Sequence, residues 1–101
     1  MNKIDFINAS YLLSNNEPTH SYGVSIFDID GDDDPEIIVA NSRHGNVIYK
    51  YSEENNCFID VAPENFKQKN NDTINICVGD FLGNGAPSIY MLHSDTFGGL
   101  K

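Results

Sequence analysis

The sequence predicts an all-β fold on three observations. Six short runs are rich in β-branched and aromatic residues, the side chains that suit a pleated surface. Clusters of Asn, Asp, Gly, Ser and Pro separate those runs. A repeat with one constant offset links the first part of the chain to the last. Helical periodicity is slight.

In chain order, the first strand is expected at Tyr22-Gly23-Val24-Ser25-Ile26-Phe27 and the second at Glu36-Ile37-Ile38-Val39-Ala40, with an acidic loop between them. Asn41-Ser42-Arg43-His44-Gly45-Asn46 reads as a turn into the third strand, Asn46-Val47-Ile48-Tyr49-Lys50-Tyr51. Glu53-Glu54-Asn55-Asn56 is the next turn, into Cys57-Phe58-Ile59-Asp60-Val61. Ile74-Asn75-Ile76-Cys77-Val78 and Ser88-Ile89-Tyr90-Met91-Leu92 complete the set. One short helical turn fits between Asn8 and Leu13. Pro63 to Asn71 reads as a polar connection with a brief helical turn after the proline.

A shift of 52 residues superposes Phe6-Ile7 on Phe58-Ile59, Asp28 on Asp80, Gly31 on Gly83, Pro35 on Pro87, Ile37 on Ile89 and Ser42 on Ser94, without a gap. Val24 and Ile26 fall on Ile76 and Val78, which match in kind. A period of roughly 50 residues with about four short strands is the size of a β-propeller blade. The expected architecture is one complete four-stranded antiparallel blade plus parts of its neighbours, a fragment of a larger propeller. Residues 1–21 would hold the last strand of a preceding blade and a connection, 22–62 the complete blade, 63–73 a linker, and 74–101 the first half of a second, degenerate blade. A lone blade cannot cover both its faces, so stacked neighbours are required.

The composition, 40% apolar and 21% charged, is that of a globular chain. Fifteen acids against six Lys and Arg give a net charge of −9. That balance argues against nucleic acid, whose phosphates need clustered bases, and favours a cation as partner. No apolar run approaches the roughly 20 residues of a membrane span. The N-terminus lacks the apolar stretch of a signal peptide, so either the protein is cytosolic or a secretion signal lies outside this sequence. Cys57 and Cys77 have no metal or redox spacing; they could pair, but two separate buried thiols are the favoured expectation. Asn8-Ala9-Ser10 and Asn71-Asp72-Thr73 are glycosylation acceptor sequences of a kind expected by chance in an Asn-rich chain.

Asp28-Ile29-Asp30-Gly31-Asp32-Asp33-Asp34-Pro35-Glu36 puts six acids into nine residues, with no Lys or Arg inside the segment. Such crowding is costly unless a positive charge sits among the carboxylates. Calcium, with roughly six to eight oxygen ligands and a tolerance for irregular geometry, is the expected occupant. Asp28, Asp30 and Asp32 can curl inward, the carbonyl of Asp34 can add an oxygen, and Glu36 can close the far side. Gly31 relaxes the bend, and Asp33 falls where a left-handed residue is often needed. An EF-hand is excluded, because its twelfth position would be Val39 and its flanks would be helices. Magnesium suits the loop less well, since it prefers regular octahedral sites. The second copy, Asp80 to Ser88, keeps an acid at the first position and Asn84 at the fifth, but has Leu82 at the third and Ser88 at the ninth. It reads as a structural turn.

Catalytic motifs are absent: there is no Gly-x-Ser-x-Gly, no His-Glu-x-x-His and no phosphate-binding glycine loop with a following Lys. His20, His44 and His93 are scattered near turns and strand ends. No enzymatic activity is expected of this chain.

Tyr22-Gly23-Val24, the acidic loop, Glu36 to Asn41, and Phe58-Ile59-Asp60-Val61-Ala62 together resemble the FG-GAP/VCBS repeat family. Within it, the run through Lys50-Tyr51 is most similar to the ASPIC-type cartilage acidic protein family. The resemblance covers roughly residues 20–93. It implies a propeller similar to that of integrin α-chains, calcium on the blade loops, and an extracellular or secreted setting. The expected function is a non-enzymatic calcium-binding module that supports protein–protein or matrix contacts. The alternative is a propeller segment appended to a secreted carbohydrate-active or other enzyme, with catalytic residues outside this chain. Self-association through exposed strand edges is a further expectation.

Overall fold

The computed structural model describes residues 6–14, 20–42, 44–67 and 72–94. Strands β1 (His20–Phe27), β2 (Glu36–Ser42), β3 (Val47–Ser52) and β4 (Cys57–Asp60) form an antiparallel meander, each paired with the next. β5 (Asp72–Gly79) and β6 (Ser88–Ser94) form an antiparallel hairpin. One backbone pair, Ser42 with Asp72, joins hairpin to meander. The meander fits a four-stranded propeller blade, and the hairpin repeats the pairing of its first two strands.

The repeat holds at the level of single backbone pairs. β1 pairs with β2 from His20–Ser42 to Phe27–Glu36, with an irregularity between Ser21 and Gly23. The hairpin pairs from Asp72–Ser94 to Gly79–Ser88, with its irregularity between Thr73 and Asn75. Every one of these positions is displaced by the same 52 residues.

Strand alternation decides what is buried. On the meander, Ile38, Ala40 and Ile48 share one face and are buried. The hairpin covers that face with Ile76, and Val78, Ile89 and Met91 pack beside it. Ser25 Oγ donates a hydrogen bond to the Ile76 carbonyl, 3.0 Å away, tying β1 to β5 across the blades. On the other face Val24 and Ile26 remain 62% and 66% exposed. The chain's own second blade thus covers Ile38 and Ile48, while Val24 and Ile26 have no such cover among the described residues.

Three further readings change. Phe66, in a 3₁₀ turn over Glu64–Phe66, is buried in the core, so the connection after Pro63 is not merely polar. Cys57 and Cys77 are unpaired, but Cys77 is exposed and Cys57 only partly buried, because Cys77 points away from the face that carries Ile76. Residues 6–9 form no strand: a 3₁₀ turn at Ser10–Leu12 follows, and Leu13 bridges in parallel to Phe58 of β4. Phe6 and Ile7 are thus exposed, unlike their repeat counterparts Phe58 and Ile59. Residues 1–5 of the expected last strand of a preceding blade lie outside the described residues, as does Asn71.

The β2–β3 turn is held by two buried amides. Asn46 Oδ1 accepts from the Asn41 backbone N–H at 2.9 Å, and Asn41 Nδ2 donates to the Gly45 carbonyl at 2.8 Å. Asn46 Nδ2 also donates to the carbonyl of Phe66, which fixes the connection on the core.

Candidate metal centre

The loop Asp28 to Glu36 joins β1 to β2. Its turn needs two left-handed residues, Gly31 (φ 79°) and Asp33 (φ 71°). Glycine adopts this backbone freely, and Asp tolerates it better than most residues. Asp28 organises the turn. One carboxylate oxygen accepts from the N–H groups of Gly31 (2.9 Å) and Asp32 (3.2 Å), and the other from Asp33 (2.8 Å). Asp32 Oδ1 accepts from the Asp34 N–H at 2.9 Å.

The second loop, between β5 and β6, repeats this scaffold. Gly83 (φ 68°) and Gly85 (φ 83°) take the two left-handed positions. Asp80 accepts from the Asn84 and Gly85 N–H groups, and Asn84 Oδ1 accepts from Ala86. An acid at the first position and an Asp or Asn at the fifth therefore suffice to close this turn. Asp30 and Glu36 correspond to Leu82 and Ser88 and have no counterpart there. They are surplus to the fold of the loop.

Those surplus acids aim inward. One carboxylate oxygen from each of Asp28, Asp30, Asp32 and Glu36 lies within 4.8 Å of the others. Asp30 Oδ1, Asp32 Oδ1 and Glu36 Oε1 are each held by a backbone N–H, from Asp32, Asp34 and Ile29 respectively. Their second oxygens are left to face the centre. Glu36 is 1% exposed, and its Oε2 accepts no hydrogen bond. A buried carboxylate oxygen in that state is costly without a cation beside it. This donor set of converging hard oxygens fits a calcium ion. The Asp34 carboxylate is not one of the four; its expected contribution was the backbone carbonyl.

A residue that sequence reasoning missed completes the cluster. Lys50, on β3, extends its ammonium to Asp30 Oδ2 and Asp32 Oδ2 and lies 3.5 Å from Glu36 Oε2. The loop is thus not without a basic partner, as its own segment suggests. The register explains the contact: Ile37 pairs with Tyr49, and one further step brings Glu36 opposite Lys50. The contact holds the Asp32 carboxyl down to about 2, with the Asp34 N–H assisting, and raises the Lys50 ammonium.

Between the two loops lies a groove of about 410 Å³, lined by Phe27, Asp28, Ile29, Asp80, Ala86 and Pro87 among others. Among the described residues no helix is long and apolar enough to cross a membrane.

An FG-GAP-like repeat model matches residues 28–91. The chain is 28% identical over 82 residues to Cartilage acidic protein 1 of Xenopus tropicalis and of Mus musculus, and 27% identical to that of Homo sapiens. Each match covers 74% of this chain and 12–13% of the relative's length.

Proposed function

Because the chain belongs to the FG-GAP-like repeat family, we propose that it is a non-enzymatic, calcium-binding propeller module serving protein–protein or matrix contacts outside the cell. The observation that carries the calcium reading is the pair Asp30 and Glu36. The loop folds without their equivalents in its second copy, yet here both aim an oxygen at one point. Asp28, Asp30, Asp32 and Glu36 would hold the ion with their carboxylates, and Asp34 with its carbonyl. Calcium would supply charge neutralisation and a cross-link between the end of β1 and the start of β2. The protein side of that work is done by the backbone N–H groups, which fix one oxygen of each acid and so pre-orient the other.

The likeness to the cartilage acidic proteins supports the extracellular setting. Two features favour a macromolecular neighbour: the exposed Val24–Ile26 face and the edges of the sheet, through which copies of the chain can also associate. The division of the chain at residues 1–21, 22–62, 63–73 and 74–101 belongs to the same proposal.

Calorimetric titration with calcium, alongside melting in calcium and in chelator, tests the reading. A ligand at a hundred times its Kd adds about 2.7 kcal/mol, so melting should rise in millimolar calcium. No heat and no change in melting would sink it.

A further inference from the structure

We propose that the Lys50 ammonium is a tethered cation that fills the metal position when calcium is absent and leaves it when calcium enters. The inference rests on the calcium reading above. Lys50 Nζ meets the three oxygens that the backbone leaves unused, Asp30 Oδ2, Asp32 Oδ2 and Glu36 Oε2. These are the oxygens an ion would take at about 2.3–2.6 Å. An ammonium hydrogen-bonded to two of these oxygens and 3.5 Å from the third overlaps that position, so the two cations exclude one another by volume and by charge.

The side chain can move. Lys50 is 30% exposed and sits on a flexible stem at the sheet surface. A lysine ammonium is strongly hydrated, so water replaces the carboxylates readily when it swings out. In its place it keeps the loop closed without metal and keeps Glu36 from being a bare buried anion. The same contact opposes calcium, because each binding event must first release it. The competitor is part of the chain, so dilution does not weaken it. Calcium occupancy is thereby converted into the exposure of a positive group on β3, on an otherwise acidic protein.

The test compares the full chain with Lys50→Met and with Lys67→Met as a charge control. Lys67 pairs with Asp60 and lies outside the cluster. Titration with calcium chloride at fixed ionic strength should give Lys50→Met an affinity about tenfold or more above wild type, within the usual span of coupled sites. Lys67→Met should stay within about twofold of wild type, as expected for a lysine paired with a carboxylate outside the cluster. In chelator, Lys50→Met should melt below wild type. Equal or weaker calcium binding by Lys50→Met, with binding intact in wild type, overturns the displacement alone. No binding by any of the three proteins overturns the calcium reading and the displacement with it. Should Lys50→Met fail to fold, NMR of the lysine ammonium groups in wild type decides. A Lys50 signal that moves to the position of a solvated lysine on saturation supports the proposal, and one that does not move refutes it.

Discussion

Asp80 does for the second loop what Asp28 does for the first. Asp28 Oδ2 accepts from the N–H five residues on at 2.8 Å, and Asp80 Oδ2 accepts from the N–H five residues on at 2.9 Å. Both carboxylates organise the turn itself, whatever else the first loop binds. Asp28→Ala and Asp80→Ala should each lower stability by about 1–2 kcal/mol, at or below the low end for hydrogen bonds to a charged group because these are exposed to solvent. Urea unfolding followed by circular dichroism would show it, and a shift in only one variant would mean the two acids have different tasks.

Asp30→Ala should separate folding from binding. Its counterpart Leu82 shows that the turn closes without an acid there. The variant should keep the wild-type strand signal and lose most calcium heat in calorimetry. Asp80→Ala should leave that heat nearly unchanged, since Leu82 and Ser88 already deprive the second loop of inward oxygens.

Opposite faces of the blade should answer differently to truncation. Ile38 is fully buried, and Ile38→Ala should cost about 2–5 kcal/mol. Ile26, exposed on the other face, should cost less than about 0.5 kcal/mol when changed to Ala in the monomer. A similar loss from both, measured by denaturant titration at high dilution, would show that the exposed face is covered in solution.

Among the five tyrosines, Tyr49 should titrate late. Partial burial, and then the Asp60 carboxylate opposite it on β4, raise its phenol above the usual value of 10.0. The neutral phenol is therefore favoured by folding. Its stabilising contribution is complete below the unfolded value and is lost as pH rises through the higher folded one. Ultraviolet titration should show a late ionisation step that Tyr49→Phe removes.

The buried amides give a further check on the turn. Asn46→Ala removes the acceptor for the Asn41 N–H and the donor to Phe66. A loss of about 1–3 kcal/mol is expected, the cost of a buried unsatisfied group. Amide exchange at Asn41 should accelerate more than at Ile38 on the same strand.

Strands were legible in the sequence because each carries its own β-branched pattern and each turn its own Gly, Asn or Asp. The repeat was legible because both copies keep the turn residues that the backbone requires. What escaped depends on pairing between distant segments. Lys50 joins the acidic loop through a strand register that no local window contains. Phe66 reaches the core because Asn46 captures its carbonyl from twenty residues away. The side of Cys77 follows from which face of β5 meets β2, a matter of packing and not of composition.

The contact between the two blades has a direction. Val24 and Ile26 are the repeat counterparts of Ile76 and Val78, yet the second pair faces inward onto Ile38 while the first looks outward. The surface a blade presents to its predecessor is thus different in kind from the one it presents to its successor, like the tenon and mortise of a joint. Repeats added in this manner always leave one of each at the two ends, however many are joined. Neither can be satisfied by a twofold partner of its own sort, whereas closure into a ring removes both at once.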